Sequence, residues 1–156
     1  MRKRFKELLL QEMNVNKDIV VLLGDVGYGM FDQLREIFPD RVINAGASEQ
    51  LMIGMAVGLA LDGKIPVCYS ITPFLLYRPF EFIRNYLSEE RIPVKLVGGG
   101  RDKDYGACGP THFACEDIDV LSAIGGIEII YPEFAEDINI HEFLYNDKPS
   151  YINLKK

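Results

Sequence analysis

Asn44-Ala45-Gly46-Ala47-Ser48-Glu49-Gln50, running at once into the apolar, glycine-spotted segment Leu51 to Gly63, is the stretch from which the rest of the chain is read. The residues ahead of it, Asp40-Arg41-Val42-Ile43, lead into a turn, and Ser48 stands at the N-cap position of a helix. Glu49 then falls in the first helical turn, where free backbone N–H groups and the helix dipole favour an anion. Met52, Ile53, Met55, Ala56, Val57, Leu59, Ala60 and Leu61 occupy nearly every face of the helix opened by Glu49, which predicts that it is buried. A carboxylate at the mouth of such a helix is either held there by capping and the dipole, or kept for proton chemistry.

Outward from this stretch, short apolar runs alternate with helical patterns. Arg2 to Asn14 reads as a helix with Phe5, Leu8, Leu9 and Met13 on one side. Asp18 to Leu23 is, after its opening aspartate, an unbroken apolar run with β-branched residues, the mark of a strand covered on both faces. Gly24-Asp25-Val26-Gly27-Tyr28-Gly29 closes it ahead of a helical Met30 to Phe38. That loop could cradle a phosphate, but its G-x-x-G-x-G spacing lacks the acidic residue after a following strand that a dinucleotide site needs. Further strands are expected over Arg41 to Asn44, Ile65 to Ser70, Ile92 to Val97 (closed by Gly98-Gly99-Gly100), Ile127 to Tyr131 and Ser150 to Leu154. Thr72 to Pro79 reads as an aromatic-rich loop, with helices over Phe80 to Ser88, Asp117 to Ile124 and the acidic Glu133 to Tyr145. Arg101 to Glu116 is a long polar stretch, and loops of that length inside compact domains usually carry function. The alternation predicts one α/β domain over residues 1–156, an open, mostly parallel sheet with helices on both faces. Ligands of such sheets lie at the carboxyl ends of the strands. The loops there carry Gly24-Asp25, Asn44 to Glu49, Thr72 to Arg78 and Gly98 to His112.

Composition narrows the function classes. A chain of 156 residues can bury about two-thirds of its unfolded surface without a disulfide scaffold. Its net charge of −6 argues against nucleic acid or anionic lipid as a partner. The apolar run from Leu51 is far shorter than the ~20 residues of a membrane span. Met1-Arg2-Lys3-Arg4 is basic but opens an amphipathic helix rather than a signal peptide, so a cytoplasmic location is expected. Cys68, Cys108 and Cys115 contain no C-x-x-C pair, and no metal-ligating set is expected in this chain.

Taken in order, four blocks resemble the pyrimidine-binding domain of thiamine diphosphate enzymes of the transketolase group, which includes deoxyxylulose-phosphate synthase and the β subunit of 2-oxo acid dehydrogenases. Phe38 to Gln50 is similar to that family's strand and helix start, and Ala56 to Val67 to its A-x-G-x-A-x-x-G-x-x-P continuation. Tyr69 to Arg84 resembles the aromatic segment ending R-x-[FY]-[ED]-x-I-R, and Gly109-Pro110-Thr111-His112 its G-P-T-H loop.

The resemblance implies that Glu49 hydrogen-bonds the ring nitrogen N1′ of the aminopyrimidine and steers the cofactor toward its imino form, which takes the proton from C2 of the thiazolium. That chemistry needs one carboxyl group in a dry pocket, able to share a proton with a weakly basic ring nitrogen. His112 would face the substrate's oxygens, and Asp25 would lie near the cofactor. Phe74 and Tyr77 both stand as candidates for the aromatic wall, because Leu75 holds the place three residues before Arg78 where the family usually has its aromatic. The diphosphate and its Mg2+ need a separate domain with a G-D-G motif, which this sequence lacks. The resemblance therefore implies half of a split enzyme, paired with a separately encoded diphosphate-binding subunit as an α2β2 tetramer, the Leu51 to Leu61 helix helping to form the contact. The substrate would be a ketose or a 2-oxo acid, and the reaction two-carbon transfer or decarboxylation. A non-catalytic or regulatory transketolase-like module is the second reading, and nucleotide binding at Gly24 to Gly29 the third.

Overall fold

The computed structural model describes residues 1–156. Six strands, β1 (Ile19–Leu23), β2 (Val42–Asn44), β3 (Ile65–Ile71), β4 (Lys95–Gly99), β5 (Glu128–Ile130) and β6 (Ser150–Leu154), form one sheet in the order β2-β1-β3-β4-β6-β5. Every pairing is parallel, with Leu23 opposite both Asn44 and Tyr69. The expected open parallel α/β architecture is the one the chain adopts.

Strand periodicity divides the core in two. Ile19, Val21 and Leu23 point to one face with α1 (Arg2–Val15), α2 (Asp32–Ile37) and α7 (Ile140–Tyr145), where Phe5, Leu9, Met13, Leu34 and Phe143 are buried. Val20 and Leu22 point to the other, under α3 (Glu49–Leu61), α4 (Thr72–Tyr77) and α6 (Asp117–Ile124). On that face a short α5 (Phe80–Phe82) continues as a π-helix, Ile83–Glu89.

Four expectations change. Thr72 to Tyr77 is helical rather than a loop, since Pro73 sits in the first turn, where a missing N–H costs nothing. Gly98 and Gly99 lie inside β4, paired with Ser70 and Ile71 of β3, rather than closing it; they are glycine because a Cβ at either would come within 2.5 Å of the Thr72 or Tyr69 hydroxyl oxygen. The acidic helix begins only at Ile140, capped by the Asn139 side chain, which accepts from Glu142 N at 3.2 Å. Finally, α3 is not buried all round: Met52, Ile53, Ala56 and Val57 face the sheet, while Leu51 is 57% and Leu61 73% exposed.

The strand order reverses direction between β1 and β3. The chain leaves β1 toward β2 on one side and leaves β3 toward β4 on the other, opening a crevice at their carboxyl ends. Gly24, Ser70 and Glu49 meet there.

Candidate active site at the carboxyl ends of the strands

Glu49 opens α3 and is 3% exposed. Ser48 occupies the N-cap, but its side chain makes no capping hydrogen bond. The Glu49 carboxylate is held instead by Arg78, whose Nη1 donates to Oε1 at 2.9 Å and Oε2 at 3.0 Å. Gly24 lies against it: a Cβ there would sit 3.5 Å from Glu49 Oε1 and 3.0 Å from Ser70 Oγ. The Ser70 hydroxyl is buried and has no hydrogen-bond partner. A backbone without a side chain, a buried carboxylate and an orphaned hydroxyl are therefore packed together at one point.

α4 sends its two aromatics in different directions. Phe74 is half-buried at the mouth, with Arg78 Cζ 3.8 Å from its ring centroid and His112 packed edge-on at 4.9 Å. Tyr77 packs against the core under α3 and α6; its hydroxyl is buried without a partner, and burial together with nearby Glu116 and Asp117 pushes it well above the usual phenol range. Only Phe74 joins Glu49 and His112 at the crevice.

His112 ends a 3-10 turn, Pro110–His112, with Nδ1 3.0 Å from Thr111 Oγ1, leaving Nε2 for an incoming group. Tyr105 lies beyond it at 6.1 Å between ring centroids and accepts a hydrogen bond from Arg2 Nη1 at 2.9 Å. Arg2, Lys3 and Lys6 line a recess of about 360 Å³ with Gly29 and Met30. Basic charge thus adjoins the crevice in an acidic chain.

Asp25 follows β1 with φ of +55° and is exposed. Its Oδ1 accepts from Asn44 Nδ2 at 3.0 Å and Tyr28 OH at 2.7 Å, and these bonds hold its carboxyl below the usual range. Asn44 Oδ1 accepts from the backbone N–H of both Asp25 and Gly46, tying the two loops together.

Below the crevice lies a buried network that the sequence motifs do not reveal. Asp117 Oδ2 accepts from Tyr151 OH at 2.6 Å and Asn153 Nδ2 at 2.7 Å, and Thr72 Oγ1 donates to Gly100 O at 2.7 Å. Arg101, 3% exposed, donates to Pro132 O and Asn153 O and so anchors the start of the His112 loop. Asn153, an amide in a strand covered on both faces, is the signal that could have found it.

The family model described as "Transketolase, pyrimidine binding domain" matches residues 1–156. A putative transketolase C-terminal section from Methanocaldococcus jannaschii is 38% identical over 133 residues, covering 85% of this chain and 42% of that protein. One subunit of the apulose-4-phosphate transketolase from Actinobacillus succinogenes is 39% identical over 95 residues, covering 61% of this chain and 30% of its own length. A solved chain described as "Split gene transketolase, inactive beta4 tetramer" superposes with a TM-score of 0.86 at 27% identity, over 99% of this chain and 50% of that one. The chain spans half or less of the length of each of these relatives. With the family model matched from end to end and this fold beneath it, the chain belongs to the transketolase pyrimidine-binding domain family.

Proposed function

We propose that the chain is the pyrimidine-binding subunit of a split, thiamine diphosphate-dependent transketolase, in which Glu49 controls the protonation of the cofactor's aminopyrimidine. The observation that carries this is the buried Glu49 carboxylate at the switch-point crevice, beside the half-buried Phe74 ring and the His112 loop. The orphaned Ser70 hydroxyl beside the Glu49 carboxylate suits a ring that offers hydrogen-bonding nitrogens. When bound, the cofactor supplies the carbanion and its electron sink. The chain supplies the rest: Phe74 offers a face to stack on, Glu49 shares a proton at the ring nitrogen, and His112 presents Nε2 to substrate oxygens.

Two-carbon transfer from a ketose is favoured over 2-oxo acid decarboxylation because both relatives at 38–39% identity carry transketolase names. The recess of Arg2, Lys3 and Lys6 suits the anionic end of a sugar phosphate. The diphosphate and Mg2+ belong, in this reading, to a separately encoded subunit, with α2β2 the simplest assembly. The outward face of α3, with Leu51 and Leu61 exposed, is where that subunit would dock. The apulose-4-phosphate relative is named as one subunit of its enzyme, and the split-gene chain is described as an inactive β4 tetramer; both support a division of labour between two chains.

The test is co-purification with the product of a neighbouring gene that contains G-D-G and a downstream Asn, followed by titration with thiamine diphosphate and Mg2+. Cofactor uptake with ketol transfer is the expected result, and Glu49→Gln is expected to leave the complex assembled while nearly abolishing turnover. A complex that takes up no thiamine diphosphate, or full activity in Glu49→Gln, overturns the proposal.

A further inference from the structure

The Glu49 carboxylate is 2% exposed, whereas Arg78, the cation paired with it, is 48% exposed. The same Arg78 guanidinium that donates to both carboxylate oxygens also lies over Phe74, 3.8 Å from the ring centroid. A flat, nitrogen-bearing group is therefore stacked on an aromatic face while it hydrogen-bonds a buried carboxylate. Those are the two contacts that the pyrimidine reading asks of Phe74 and Glu49, and one group cannot make them while the other does.

We propose that Arg78 is a resident substitute for the aminopyrimidine: in the free chain it occupies the ring's place on Phe74 and Glu49, and the cofactor enters by displacing it. The proposal rests on reading the crevice as a pyrimidine pocket. The physical need for a substitute is clear, because a carboxylate this deeply buried is costly without a compensating partner. No other cation is paired with it, and the buried Ser70 Oγ makes no hydrogen bond to it. Displacement asks little of the fold. Tyr77 and Pro79 on either side of Arg78 are held by packing, but the Arg78 side chain already reaches solvent and can leave by rotation about its own χ angles. The cofactor's apparent affinity is then lowered by the fraction of chains in which Arg78 still covers Glu49. Arg78 acts here as a positioning residue that is removed before chemistry.

Two measurements test it. In the free full-length chain, thermal unfolding of Glu49→Gln, Arg78→Gln and the double variant is compared. Each single change is expected to lower Tm and the double variant to lie no lower than the worse single one; additive losses overturn the pairing. In the complex with its diphosphate-binding partner, thiamine diphosphate is titrated calorimetrically against wild type, Arg78→Gln and Arg78→Met. The variants are expected to bind about tenfold more tightly, although their free chains are less stable. A purely structural arginine does not produce that inversion. Unchanged or weaker cofactor binding in the variants, with wild type binding normally, overturns the substitute role alone; no binding in any of the three overturns the pyrimidine reading of the crevice beneath it.

Discussion

Phe74 and His112 meet edge to face, ring centroids 4.9 Å apart and planes inclined by 67°, although they come from different elements of the chain, α4 and the loop before α6. The contact makes one wall of the crevice continuous from the buried carboxylate to the His112 loop. It also separates the two aromatic candidates. Phe74→Ala is expected to weaken thiamine diphosphate binding of the assembled enzyme by about tenfold, since a lost aromatic stack is worth roughly 0.5–1.5 kcal/mol beyond its area. Tyr77→Phe is expected to leave binding unchanged and stability equal or up to ~1 kcal/mol higher, because it deletes a buried hydroxyl with no partner. Calorimetric titration and denaturant melts of both variants check this; the reverse order of effects would assign the wall to Tyr77.

His112 is expected to act on the substrate rather than on the cofactor. Its Nδ1 is engaged by Thr111 and its ring is pinned between Phe74 and Tyr105, so Nε2 is the free atom. In the assembled enzyme, His112→Ala should therefore raise KM and lower kcat on the ketose donor by about tenfold or more each, with cofactor affinity within about twofold of wild type. A variant whose kinetics match wild type would reduce His112 to a packing residue of the loop.

The sheet was legible because a doubly covered parallel sheet writes its strands as unbroken apolar runs, and Ile19 to Leu23 is such a run with every residue buried. The carboxyl-end loops were legible for the same reason, as the polar and glycine-rich remainder. Helicity in Thr72 to Tyr77 was hidden by Pro73 and by aromatics that serve helix and loop equally. The outward face of α3 was hidden because apolarity does not say whether a residue meets this chain's core or another surface, and Leu61 lies outside this chain's core. Arg78 stood out only as a motif anchor. Its pairing with Glu49 spans 29 positions and two helices, a relation that no local pattern encodes.

The network under the His112 loop should be among the costliest places to alter. Tyr151 and Asn153 both donate to Asp117 Oδ2, and Asp117 is 2% exposed. Asp117→Ala leaves the buried Tyr151 hydroxyl without its acceptor, while Asn153 Nδ2 keeps Tyr151 Oη at 2.8 Å and Gly100 O at 3.4 Å, with an expected loss of roughly 1–3 kcal/mol. Tyr151→Phe removes one charge-assisted bond while Asn153 remains, for roughly 1.5–3 kcal/mol. Urea unfolding checks both, and losses within about 0.5 kcal/mol, the range typical of ordinary surface substitutions, would show the network to be dispensable.

At the opposite end of the sheet, Lys95 is 1% exposed, and its ammonium donates to Asn146 O and Lys148 O, each at 2.7 Å, and to Asn146 Oδ1. Burial pushes it down to about 8, with Glu128 and Asp147 pulling the other way. An unfolded lysine keeps its proton until about pH 10.4. Between about pH 8 and that value the unfolded chain holds more protons than the folded one, so this group's contribution to stability is flat below the window and rises with pH through it. Lys95→Met has no such group, although it leaves the three oxygens without their donor and should be less stable than wild type near neutrality. The Tm difference between wild type and Lys95→Met is therefore expected to widen by roughly 4–8 °C from about pH 7 to about pH 9.5. Tyrosine titration at the alkaline end acts on both chains alike and cancels in the difference. Parallel Tm curves would mean that Lys95 stays fully charged in the folded chain, its three acceptors outweighing burial.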